Sequence, residues 1–108
     1  MQAMAVITFS YSCSQAALDD FAIDFATNIT PEVDGLEWKI FLNQPELRRS
    51  AGIYCFRDVE SAHNYVDGPY VDALRNAPLV REVSAEVFQT MEEASLKAGA
   101  PLACLATA

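Results

Sequence analysis

The chain has 108 residues, with 15 Asp and Glu against 7 Lys and Arg and a formal net charge of -8 at pH 7. This length allows one domain, enough for a single sheet covered on one face by helices and too little for a doubly wound enzyme. So acidic a surface, with no basic cluster, argues against nucleic acid and membrane surfaces as partners, while 52% hydrophobic residues with only 4 Gly and 5 Pro describe a packed domain.

Met4 to Tyr11 (MAVITFSY) alternates Val6, Thr8 and Ser10 with Ile7, Phe9 and Tyr11 and reads as a first strand. Ser14 offers an N-cap, and from Gln15 the apolar residues Leu18, Phe21, Ala22, Phe25 and Ile29 recur at helical spacing, with Asp19, Asp20 and Asp24 off the stripe. Thr30-Pro31 ends that helix, and Asp34-Gly35 supplies a turn. Leu36 to Asn43 (LEWKIFLN) is a second strand, with Leu36, Trp38, Ile40 and Leu42 on an apolar face and Glu37, Lys39, Phe41 and Asn43 on the other.

After the polar connection Gln44 to Ser50, Ala51 to Phe56 (AGIYCF) reads as a third strand with both faces at least partly covered. Asp58 is an N-cap for a helix carrying Val59, Ala62, His63 and Val66 on one side, and Pro69 opens a further turn through Leu74. Asn76-Ala77-Pro78 stops it, and Leu79 to Gln89 alternates again as a fourth strand. Thr90 to Glu93 has the capping-box spacing for a short last helix; the ordered core is expected over about residues 4–98, with residues 101–108 a flexible tail.

The order β-α-β-β-α-β plus a C-terminal helix is the ferredoxin-like pattern of the α+β class, a four-stranded antiparallel sheet with two helices on one face. The other face would leave an apolar patch of several hundred square ångströms in water, so a homodimer is expected. No apolar run approaches the roughly 20 residues that span a bilayer, and no secretory signal is evident, so the expected location is cytoplasmic. Cys13, Cys55 and Cys104 are odd in number and far apart, which suits reduced thiols and neither a disulfide framework nor a zinc site.

GLEWKIF (Gly35 to Phe41), AGIYCFRDVESAHNYV (Ala51 to Val66) and VSAEVF (Val83 to Phe88) resemble the YdhR-type mono-oxygenases of the dimeric α+β barrel superfamily, over most of the chain from Phe9 to about Pro101. The resemblance implies two sheets facing each other across a dimer and a pocket between sheet and helices in each subunit. It implies a range of activities, since superfamily members oxidise polycyclic phenols with oxygen and no cofactor, cyclise polyketides, isomerise lactones or degrade haem.

Among the residues, His63 is the only histidine and is expected to turn toward the sheet, where a neutral imidazole can take a phenolic proton; the same spacing also suits a partly solvated position at the stripe edge. Trp38 suits stacking on a flat ligand or a plain core role. Tyr54, Tyr65 and Tyr70 are candidate hydrogen-bond donors to a substrate, although Tyr65 leans away from the Val59 stripe and Tyr54 also suits the dimer seam. Cys55 reads as a packed thiol, and Arg48-Arg49 as solvated charges. The carboxylates lack ligand spacing to His63, so no metal site is expected, and no nucleotide loop or hydrolase elbow is present.

The combined expectation is a cofactor-independent mono-oxygenase acting on a small aromatic, hydroquinone or polyketide-derived phenol, with His63 as base and Trp38 and a tyrosine holding the ring. Its alternatives are a proton-transfer cyclase or isomerase on the same fold and a dimer that binds a small aromatic or apolar ligand without catalysis. Haem on His63 is a lesser variant.

Overall fold

The alternating segments pair into one antiparallel sheet in the computed structural model, which describes residues 2–102; Cys104 and the rest of the tail beyond Leu102 lie outside the described residues. The elements are β1 (Ala3–Tyr11), α1 (Gln15–Asp24), β2 (Leu36–Gln44), β3 (Arg49–Phe56), α2 (Val59–Val66), α3 (Pro69–Arg75), β4 (Val80–Gln89) and α4 (Glu92–Lys97). The strand order is β2-β3-β1-β4, the ferredoxin-like arrangement that the pattern predicts. Two of the three expected N-caps form: Ser14 accepts from the Ala17 amide at 3.1 Å and Asp58 from the Ser61 amide at 2.7 Å. Among the described residues no helix is long and apolar enough to cross a membrane.

The first helix stops short of its apolar stripe. After Asp24 the backbone widens into a π turn, Phe25–Ile29, and then tightens into a 3-10 turn, Thr30–Glu32. Thr27 and Thr30 donate their hydroxyls to the carbonyls of Ile23 and Ala26, and Pro31 has no amide to continue the ladder, so side-chain bonds compete with regular helix here. Such π turns recur at functional sites.

Register decides which strand residues meet the helices. Tyr54 stands opposite Ala5 on one side and Lys39 on the other, and Gly52 opposite Ile7 and Phe41. These residues share the helix-covered face with Ala3, Phe56, Val83, Ala85 and Val87, and the buried core there is closed by Ala62, Tyr65 and Val71. Met4, Cys55 and Trp38 are aligned on the opposite face, followed by Val6, Ile53 and Ile40. The apolar face of β2 therefore points away from the helices, and Trp38 lies on the outer side, where its indole Nε1 donates to the Pro101 carbonyl at 3.1 Å beside the buried Leu102.

Two helix expectations are corrected. The buried side of α2 is Ser61, Ala62 and Tyr65, about a residue out of phase with the stripe Val59, Ala62, His63, Val66, so His63 is exposed. Thr90 does not cap the last helix; its amide donates to the Gln2 carbonyl at 3.1 Å, extending the sheet, and Met91 occupies the cap position of α4. The Asp34-Gly35 turn does form, with Gly35 at φ 79°, a conformation that glycine adopts without penalty.

Candidate active site

Between the helix-covered face and α1 the fold leaves a cavity of about 580 Å³, within the range of about 300–1,000 Å³ usual for small-molecule sites. The stripe of the first helix lines it whole: Leu18, Phe21, Ala22, Phe25 and Ile29 face this space instead of closing it. Ile7, Phe9 and Tyr11 of β1 and Val71 and Leu74 of α3 supply further wall. Phe21 and Leu79, 49% and 52% exposed, stand at its rim.

Among the described residues one cation enters this apolar space. Lys39 of β2 sets its ammonium 3.8 Å from the ring centroid of Phe41, 4.2 Å from that of Phe25 and 4.3 Å from that of Tyr54. Among the described residues no carboxylate pairs with it. Ring faces attract the charged form by about 0.5–2 kcal/mol each, whereas stripping an ammonium of water without a counter-charge costs several. Burial wins, and the Lys39 amine is pushed down from 10.5 to about 7. Near neutral pH it is thus present in both forms, as proton acceptor and as cation.

The room for this side chain comes from Gly52. A Cβ at that position would meet Lys39 Cε and Tyr54 Cε1, each at 2.9 Å, which is the close approach a glycine inside a strand permits. Gly52→Ala is expected to lose about 1–3 kcal/mol of stability through overpacking, because the Tyr54 ring is held on its far side. Thermal denaturation with variant and parent side by side measures it.

The rest of the box is aromatic. Tyr54 is 5% and Tyr65 7% exposed; their rings lie 4.9 Å apart, and Tyr65 donates a long hydrogen bond of 3.4 Å to the Tyr54 hydroxyl. Burial raises both phenols above their ordinary range, so both stay protonated at neutral pH. Tyr70 stacks on Tyr65 at 6.0 Å and meets Phe25 edge-on at 6.2 Å, joining the π turn to α3. At the other end Tyr11 donates to Asn43 at 2.8 Å, Asn43 to Gln15 at 2.9 Å and Gln15 back to Tyr11 at 2.7 Å, a closed ring of polar groups.

Of the residues singled out in the sequence, Tyr54, Tyr65 and Tyr70 come together at the cavity, with Tyr54 on the helix-covered face and not at the outer one. Trp38 and His63 do not line it. The indole belongs to the outer face, and the imidazole is exposed on α2. Lys39 escapes a reading by alternation because it shares the mixed face of β2. Its signals are the flanking Phe41 and the strand glycine opposite Phe41.

The family model described as "Putative mono-oxygenase ydhR" matches residues 4–101. No curated protein matches the chain significantly. Among solved structures, SnoaB, a cofactor-independent oxygenase from Streptomyces nogalater, is similar at a TM-score of 0.63 and 14% identity, over 84% of this chain and 94% of that one. A DABB family protein with a ferredoxin-like fold from Mesorhizobium loti gives 0.61 and 18%, over 83% and 97%. The hydroxynitrile lyase of Passiflora edulis gives 0.60 and 14%, over 84% and 94%. At such identities the likeness is one of fold, and the fold carries more than one chemistry.

Proposed function

Because this chain belongs to the YdhR-type mono-oxygenase family, we propose that it oxidises a flat, electron-rich phenol, a hydroquinone or polyketide-derived aromatic, with Lys39 as the base. The observation that carries this reading is the lysine amine in an apolar cavity, ringed by Phe25, Phe41 and Tyr54. The neutral amine takes the phenolic proton, and the ammonium so formed stabilises the phenolate beside it. The walls exclude water, which strengthens that pairing.

The phenolate brings its own electrons. Where the polyketide-derived phenol has a keto tautomer with a ring CH2, that carbon and O2 become a carbonyl and water, with four electrons leaving the carbon and four entering oxygen, so no separate reductant is required. Tyr54 and Tyr65 stay protonated, and the one phenolic proton not used in their mutual hydrogen bond is left to donate to the substrate. The similar Streptomyces protein is a cofactor-independent oxygenase, which supports the same economy here.

Oxygen uptake by the purified protein with a panel of hydroquinones and polycyclic phenols is the test, with His63→Ala alongside. Uptake above the uncatalysed rate, unchanged in His63→Ala, is expected, since the imidazole is exposed and does not line the cavity. Product formation without oxygen uptake would move the assignment to proton transfer, a cyclase or isomerase. Neither product nor uptake across the panel would leave only ligand binding.

The outer face supports a homodimer. Ile40, Leu42 and Phe88 are 46%, 45% and 52% exposed there, an apolar surface that a second copy would cover. Sedimentation is expected to report twice the monomer mass, and a monomer at micromolar concentration would refute the assembly.

A further inference from the structure

The placement of Lys39 points to a second reactivity of this site: we propose that its amine forms an imine with apolar aldehydes or ketones that enter the cavity. This does not rest on the oxygenase reading, since it needs neither oxygen nor a phenol. A lysine becomes a nucleophile when it is neutral and desolvated in an apolar pocket. The chain contains two lysines, and they lie in opposite surroundings. The Lys97 side chain is 78% exposed and pairs with Glu93 at 3.7 Å. Lys39 has no such partner among the described residues and is fixed by three ring faces at 3.8–4.3 Å, with burial supporting the neutral form.

The step balances without an oxidant or reductant. The Nζ lone pair adds to the carbonyl carbon, the C=O π pair moves to oxygen, and one amine proton ends on that oxygen to give a carbinolamine. The hydroxyl then leaves as water with the second amine proton, and C=N remains. Water is the product that reverses the reaction, and the apolar walls, Leu18, Phe25, Ile29 and Val71 among them, keep its concentration low. The same walls select carbonyl compounds with an apolar body. The Tyr54 and Tyr65 hydroxyls lie 3.4 Å apart and share one hydrogen bond, so one of the two phenolic protons is left on this wall for the departing hydroxyl.

The full chain is incubated at pH 7 under argon with 2-naphthaldehyde and sodium cyanoborohydride, which reduces the imine to a stable secondary amine. Intact mass counts the adducts, and peptide mapping places them, with Lys97 and the N-terminal amine as internal references. The expected result is one dominant adduct, on Lys39, formed at least tenfold faster than the adduct on Lys97 and missing from Lys39→Arg. Labelling of Lys97 or the N-terminal amine at a rate equal to or above that of Lys39 would overturn the proposal, whatever the oxygen-uptake experiment gives. Because the wild-type chain supplies its own control, the outcome does not depend on the variant folding.

Discussion

Replacing Lys39 with Met is expected to lower kcat/KM for oxygen uptake on a phenolic substrate by about 10²- to 10⁴-fold, the usual contribution of a general base. Met keeps the length and the apolar stem, and it fits among Phe25, Phe41 and Tyr54 with little rearrangement. The loss would therefore report chemistry and not shape. Binding of an apolar product or inhibitor is expected to persist, so the change falls on kcat more than on KM. Activity of the parent is expected to rise with pH through about 7 as the amine loses its proton. An equal loss in His63→Ala would move the base to α2 and contradict this assignment.

The same substitution is expected to stabilise the fold at neutral pH, and the parent is expected to gain stability as pH rises. In the unfolded chain Lys39 holds its proton up to about 10.5, and in the folded chain only up to about 7. Between those values the unfolded state binds one more proton, so raising pH favours folding. Between pH 7 and 9.5 the gain is about 3 kcal/mol. Lys39→Met lacks this slope. The other titratable groups lining the cavity are Asp19 and Asp24 of α1, Cys13, and Tyr11, Tyr54, Tyr65 and Tyr70. Parent and variant share them, so their contributions largely cancel in the difference. Urea denaturation at several pH values reads the effect, and parallel curves for the two proteins would contradict it. The buried amine is then a case of a site held at a cost in stability.

Most of the architecture was legible because its signals are local. Period-two alternation gave the four strands, the caps at Ser14 and Asp58 gave two helix starts, and Pro69 opened α3. The site was less so, for a reason visible in β2. Alternation separates Trp38, Ile40 and Leu42 from Lys39, Phe41 and Asn43 without saying which set meets the helices. In a sheet covered by helices on one side, with a further apolar surface on the other, the greasier set need not face the helices. Here it faces away, and the mixed set carries the cation into the cavity. The phase of α2 failed similarly, since over eight residues the stripe Val59, Ala62, His63, Val66 and the buried set Ser61, Ala62, Tyr65 share Ala62 and have centres only about 100° apart, one residue of helix rotation. The π turn at Phe25 had no pattern of its own; it results from Thr27, Thr30 and Pro31 acting together on the backbone.

The base, the pH-linked stability and the imine chemistry all require that the Lys39 amine in the cavity be largely neutral at physiological pH. With two lysines in the chain, an NMR titration of the side-chain Cε–Hε resonances separates them, and Lys39→Arg assigns the signal. The resonance that is lost in Lys39→Arg is expected to titrate near pH 7, well below the ordinary lysine value of 10.5. A Lys39 resonance that titrates at the ordinary 10.5 would overturn the base, the pH-linked stability and the imine chemistry together.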